Sequence, residues 1–318
     1  MKLILGTMNI EYPYSSNTDH SIEYYKSIID KYLELVEDPI LDTAYYYGNT
    51  KTEIILGEIL QTYNKKPKIA TKANPWFQND FTNGKFGQLN TDNLKNQLNT
   101  SLLNLKLDKV DIFYLHCWDW ETPITETLEI TNEMWRKEKF DKFGISNFSK
   151  KQIIDVLNII EQEEYCPLLY YQGMYNMIAR NVEETFDILS EKNIEFWAYN
   201  PLAGGLLTGK YKSKCLNIDS RFKSNSIYQN IFWKEPILNG IEDFVNLPNS
   251  TDYALTWYKN YNKLKSSDGI ILGVSTLSQL EYNINIYNND NLLFNPNVYK
   301  NFDKKYSEFK SVSPDYFY

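Results

Sequence analysis

Eight short apolar runs, spread along the chain and separated by segments of helical periodicity, constrain this fold more than any other feature. They are Lys2 to Thr7, Pro39 to Ala44, Lys68 to Ala73, Val110 to Cys117, Phe143 to Asn147, Leu168 to Gly173, Ile194 to Asn200 and Gly269 to Ser275. A strand apolar on both faces must be covered on both faces, which is the habit of parallel sheets flanked by helices. Between the runs the period changes to that of a helix: Leu94, Leu98, Leu102 and Leu105 recur at spacings of four, four and three. Asn181 to Leu189 gives another such face, with Glu183 and Glu184 in the early turns where a helix dipole favours acids. Eight such units predict the α/β class: one (β/α)8 TIM barrel, with residues 1–318 forming a single domain of ordinary size for that architecture.

Two stretches stand outside this alternation. Gly204 to Leu247 makes a long loop after the seventh strand, and a loop of that length in a compact domain usually covers a functional site. Asn297 to Phe309 reads as an extra C-terminal helix. Between the first strand and a helix from Ser21 to Val36 we expect only a short connection.

Composition narrows the partners. The longest apolar runs, Ile270 to Val274 and Leu168 to Tyr171, are strand-length and far short of a membrane span. The opening residues lack the length and cleavage site of a signal peptide. Three cysteines without C-x-x-C spacing fit a reducing compartment, so a cytoplasmic protein is expected, with no membrane partner. A net charge of −8 argues against a nucleic-acid footprint, which needs a basic face.

The chemistry is concentrated in Leu41-Asp42-Thr43-Ala44-Tyr45-Tyr46-Tyr47-Gly48, Thr71-Lys72 and Leu115-His116. An acid, a phenol, an amine and an imidazole each lie at or just past the end of a separate strand run. In a parallel barrel those ends share one face, so groups spread over about 75 positions can form one site. A phenol beside an ammonium is a proton donor suited to neutral pH, as carbonyl reduction requires. Lys72 interrupts the apolar run Ile69 to Ala73, where an unpaired charge is costly, so Asp42 and Lys72 read as a pair rather than as a turn residue and a solvated cation. Tyr47 is one of 26 tyrosines and carries weight only through its spacing from Asp42 and the glycine after it. His116 is one of two histidines; its strand-end place favours chemistry over the alternative of a satisfied core residue. Neither the histidines nor the cysteines have ligand spacing, so no metal is expected. His116 and Cys117, adjacent on a strand, point to opposite faces and make a poor nucleophile-base pair. Gly204 to Lys210 falls short of a phosphate-binding P-loop because Tyr211 stands where Ser or Thr is needed.

These strings, with Glu53 to Gly57, Tyr114-Leu115-His116 and Gly144-Ile145-Ser146-Asn147, resemble the landmarks of the aldo-keto reductases in the family's order. Ala70 to Trp76, Tyr171 to Asn176, Asn200 to Lys210, Ile271-Leu272-Gly273 and Gln279-Leu280-Glu281 are similar to the aflatoxin-aldehyde reductase branch, and the match runs from about residue 3 to about 310. The resemblance implies Tyr47 as general acid, Lys72 as the cation that lowers its pKa, Asp42 as the partner of Lys72, and His116 as the neutral imidazole aligning the substrate oxygen. It implies NADPH, with Ser146, Asn147 and Gln172 binding the nicotinamide carboxamide and Tyr199 stacking on the ring. Lys210, Arg221, Ser275, Gln279 and Asn283 would hold the pyrophosphate, adenosine and 2′-phosphate. Gly6, Thr7, Met8, Asp42, Asn200, Leu202, Gly204 and Gly273 would complete the cofactor's surroundings. Gly273 and Ser275 lie before a helix N-terminus, where barrels commonly bind phosphate. Met8, Tyr47, Trp76, His116 and Trp118, with Trp120 nearby, would face a small-molecule carbonyl substrate. A homodimer is implied by resemblance only.

Two departures shape the expectation. Tyr282 stands where relatives carry a polar or acidic residue against adenine. The chain ends in Tyr318, where aldehyde reductases of this branch end in an arginine that grips carboxylate-bearing substrates. Aromatic or aliphatic aldehydes and dicarbonyls are therefore expected rather than succinic semialdehyde. The competing classes are a non-catalytic NADPH-binding regulatory subunit of the same fold, and a barrel aldolase or hydrolase using Lys72 as a Schiff-base nucleophile.

Overall fold

The structure is a computed structural model that describes residues 1–10, 21–80, 82–211, 222, 226–260, 263–289 and 295–317. All eight runs are strands: β1 (Lys2–Gly6), β2 (Ile40–Asp42), β3 (Lys68–Ala73), β4 (Val110–Leu115), β5 (Phe140–Ser146), β6 (Leu168–Met174), β7 (Glu195–Tyr199) and β8 (Gly269–Gly273). Each pairs in parallel with the next, and β8 returns to β1 through Lys2↔Gly269 to Gly6↔Gly273, closing the barrel. Six helices follow the first six strands: α1 (Ile22–Leu35), α2 (Lys51–Leu60), α3 (Thr91–Leu105), α4 (Ile124–Arg136), α5 (Lys150–Gln162) and α6 (Phe186–Glu191). Their starts are written locally: Ser21 and Asn90 cap α1 and α3, and a Ser149–Gln152 capping box opens α5.

Two connections differ from expectation. Residues 7–21 lie between β1 and α1, so the link is longer than the short loop anticipated. The segment after β7 is partly helical rather than a plain loop, with a 3-10 turn over Ala203–Thr208 and short helices Ser226–Phe232, Glu235–Gly240 and Glu242–Val245 before Ser250–Asn260. The C-terminal helix spans Pro296–Phe309 and is tied to the chain after β6 by Arg180, which donates to Asp303 at 2.7 Å and lies 4.4 Å over the Tyr306 ring. Among the described residues no helix is long and apolar enough to cross a membrane.

Two apolar cores result. A large one fills the space between sheet and helices, and a second fills the barrel with Ile4, Ile40, Ala70, Ile112, Tyr114, Tyr170, Trp197 and Ile271. This inner plug makes the barrel a packed core with no pore. Gly144 leaves room for it: a Cβ there would meet the Tyr114 ring at 2.3 Å.

Candidate functional site

Strand side chains alternate between faces, so the residue two beyond each plug residue also points inward, one layer nearer the C-terminal end. Those positions are Asp42 after Ile40, Lys72 after Ala70, His116 after Tyr114, Gln172 after Tyr170 and Tyr199 after Trp197, with Ser146 two beyond Gly144 in the same layer and Gly6 and Gly273, which carry no side chain, after Ile4 and Ile271. The barrel thus raises a polar ring on an apolar plug at the end where barrel sites are built.

Lys72 is the centre of that ring. It is fully buried, and its Nζ donates to Asp42 Oδ2 and to the Thr43 carbonyl, both at 2.7 Å, and approaches Tyr47 Oη at 3.4 Å. Burial pulls the ammonium below its ordinary pKa, while Asp42 and, behind it, Glu53 favour the charged form. Gln172 Nε2 donates to the other Asp42 oxygen at 2.9 Å, so both carboxylate oxygens are engaged.

Tyr47 reaches this group from a loop pinned to β3. Thr43 N donates to Ala70 O, Tyr45 N to Lys72 O, and Tyr47 N back to Ala44 O. The turn after it runs through Gly48, Asn49 and Thr50, all at positive φ. Glycine and asparagine adopt that conformation readily; Thr50 at φ 73° is strained, a cost that clusters at functional loops.

His116 follows β4 and continues the ladder through its N–H to Ala73 O. Its ring lies 5.9 Å from that of Tyr47, nearly perpendicular, and 5.0 Å from that of Trp76, which is met edge-on by Tyr46 at 5.2 Å. Burial first, then the Lys72 charge, hold the imidazole well below its ordinary pKa, so it is neutral. The neighbouring Cys117 is buried and its thiol is pushed up, leaving it inert.

The other predicted residues lie along the same rim. Asn147 donates to the His116 carbonyl at 3.0 Å and to Ser146 Oγ at 3.1 Å, and accepts from the Tyr199 hydroxyl at 2.8 Å. Asn147 and Asn200, both at left-handed φ, turn the chain as it leaves β5 and β7. Leu202 caps the turn after β7, Gly204 lies within it at positive φ, and Lys210 is exposed beyond it. Thr7 ties β1 to the Asp42 carbonyl, with Met8 half-buried beside it. Gln279 accepts from Ser275 N at 2.9 Å, closing the turn before helix Leu277–Asn288, on which Asn283 is buried. Trp118 packs against Phe148 and Trp120. Tyr282 donates its hydroxyl to Asp252 at 2.5 Å, away from the ring of site residues. Arg221 and Tyr318 lie outside the described residues.

Two features carried no readable signal. The Gln172–Asp42 bond joins residues 130 positions apart, and the Thr43 carbonyl that receives Lys72 is backbone, which no residue type announces. Thr43 Oγ1 and His116 Nδ1 are buried with no hydrogen-bond partner among the described residues, as expected where partners arrive with a bound molecule. The amides and hydroxyls of the rim suit a carboxamide and ribose, and the half-buried Tyr199 ring suits a flat heterocycle.

Residues 2–306 match the Aldo/keto reductase family. The chain belongs to that family. Human aflatoxin B1 aldehyde reductase member 4 is 35% identical over 298 residues, covering 87% of each chain, and the human member 2 is 38% identical over 265 residues, covering 77% of this chain and 72% of its own. A glycerol dehydrogenase from Gluconobacter oxydans has the same fold, with a TM-score of 0.73 at 22% identity over 95% of this chain and 90% of its own. Members of the family are oxidoreductases of small carbonyl compounds that work with a nicotinamide cofactor, and this aldo/keto reductase is one of them.

Proposed function

We propose that the whole chain, 1–318, acts as one barrel domain that reduces aldehydes and dicarbonyls to alcohols with NADPH, with Tyr47 as general acid. The observation that carries this reading is the Lys72 ammonium, buried on Asp42 at 2.7 Å and set 3.4 Å from the Tyr47 hydroxyl. Reduced nicotinamide, when bound, supplies the hydride that reaches the carbonyl carbon. Ser146, Asn147 and Gln172 would hold its carboxamide and Tyr199 its ring, while Lys210, Arg221, Ser275, Gln279 and Asn283 would take the phosphates and adenosine. Phosphate dianions favour such cations and directional donors, which is why NADPH is chosen over NADH.

Tyr47 Oη gives its proton to the carbonyl oxygen as the C–H bond forms. The phenolate left behind is stabilised by Lys72, whose charge is fixed by Asp42. His116, neutral, donates an N–H to the same oxygen and orients it. Tyr46 and Trp76, edge to face beside His116, give the substrate an apolar wall that suits aromatic and aliphatic aldehydes.

The test is NADPH oxidation with 4-nitrobenzaldehyde and phenanthrenequinone by wild type and Tyr47→Phe. Loss of roughly 10²- to 10⁴-fold in the variant, with NADPH still quenching protein fluorescence, is expected. Wild type that binds NADPH and turns over neither carbonyl would replace the enzyme with a non-catalytic sensor.

A further inference from the structure

The proposed reaction leaves unused a fully buried acid beside the Lys72 strand. Glu53, in the first turn of α2, is fully buried. Its Oε1 accepts from the Thr71 hydroxyl at 2.5 Å, and its Oε2 has no hydrogen-bond partner among the described residues. A carboxylate with a bare oxygen in a dry site is costly, so the group resists ionisation. Burial pushes it up to about 7, against the opposing pull of the Thr71 and Ser101 hydroxyls and of Lys72. Lys72, directed to the other face of β3, is the charged group that acts on it through the sheet, and α3 contributes the Ser101 hydroxyl.

Its place in the chain matters as much as its charge. Tyr47 lies in the turn that runs directly into α2, and Thr71 is the residue before Lys72. Thr71 faces α2 while Lys72 faces the barrel interior. The Glu53–Thr71 bond therefore joins the segment bearing the phenol to the strand bearing the ammonium.

We infer that Glu53 is a positioning residue of the reductase site: its carboxyl clamps the helix after Tyr47 onto the Lys72 strand, and its charge sets the alkaline limit of proton delivery by the Tyr47–Lys72 pair. The inference rests on that pair being the proton donor. An anion behind β3 favours the Lys72 ammonium and disfavours the Tyr47 phenolate. Both effects keep the proton on the pair to higher pH.

The experiment is the pH profile of kcat/KM for NADPH-dependent reduction of 4-nitrobenzaldehyde by wild type, Glu53→Gln and Glu53→Asp. Removing the charge should move the alkaline limb of Glu53→Gln to lower pH by about half a unit or more, roughly a threefold loss at fixed pH on that limb. Glu53→Asp, which keeps the charge, should return the limb toward wild type. A Glu53→Gln enzyme with an unmoved limb, whatever its overall activity or Tm, overturns the role and leaves the reductase reading intact. Wild type that reduces no carbonyl overturns both. Should Glu53→Gln not fold, Thr71→Val strips the carboxyl of its hydrogen bond, holds it neutral to higher pH and should move the limb the same way; an unmoved limb there is equally fatal. Infrared spectra of the enzyme without cofactor should show a protonated carboxylic carbonyl band that fades as pH rises through 7 and is missing in Glu53→Gln. Its absence in wild type overturns the titration on which the limb depends.

Discussion

Gln172 Nε2 and Lys72 Nζ grip opposite oxygens of Asp42, at 2.9 Å and 2.7 Å, so the carboxylate at the base of the site cannot rotate without breaking a bond. The same glutamine stands where the proposed carboxamide would bind, which makes it a link between cofactor and proton donor. Gln172→Met should leave Asp42 Oδ1 bare, at a cost of about 1–3 kcal/mol in stability. It should weaken NADPH binding and lower kcat together. Fluorescence titration alongside steady-state rates checks this, and a variant with weaker binding but unchanged kcat would show that the amide serves the cofactor alone.

The Asp42–Lys72 pair is buried at both ends, so its halves are not independent. Lys72→Met strands a carboxylate in the core and should cost about 3–5 kcal/mol, read by denaturant unfolding. Combining it with Asp42→Asn should recover most of that loss while activity stays abolished. If the double variant is as unstable as the single, the damage comes from lost packing rather than from the stranded charge.

His116 makes stability depend on pH in a definite direction. Its native pKa lies well below the ordinary 6.5, so below about 6.5 the unfolded chain binds a proton that the native site refuses. The stability that His116 contributes is lost as pH falls through that window. His116→Gln should lower the slope of unfolding free energy against pH between about 6.5 and about 5 relative to wild type, the buried Glu53 carboxyl contributing the opposite sign in both proteins. Identical slopes in the two proteins would mean that the native imidazole titrates normally.

Gly144 sits beneath Ser146 and under the Tyr114 ring, which a methyl group would strike at 2.3 Å. Gly144→Ala should therefore destabilise by about 1–3 kcal/mol through overpacking. Tyr114→Phe in the same background should not relieve it, because the clash is with ring carbons and not the hydroxyl. Thermal unfolding of the three proteins separates these outcomes.

Most of the barrel was legible because a parallel strand buried on both faces is written as an unbroken apolar run. Boundaries blurred where that rule weakens. β5 begins at Phe140, three residues before the expected Phe143, because Asp141 and Lys142 are exposed on its outer end and break the run. The connection 7–21 follows Gly6 and carries Pro13 and the polar run Ser15 to Asp19, loop signals that outweigh the short link usual in a βα unit. In the site, Asp42, Lys72 and His116 were readable because charge or imidazole at an apolar strand's end is conspicuous. The Gln172–Asp42 and Glu53–Thr71 bonds were not, since each depends on closing distances of 130 and 18 positions that only the closed sheet supplies.

The stacking of a polar ring on an apolar plug has a consequence for how this protein can change. Each strand carries its reactive group and its packing group two positions apart on one rail. A substitution at the upper position edits recognition or chemistry and leaves the foundation alone, whereas a single-residue insertion low in a strand would turn every group above it outward at once. The molecule is therefore tolerant of rewriting at its rim and intolerant of slippage beneath it, an architecture open to new substrates by replacement and closed to them by insertion.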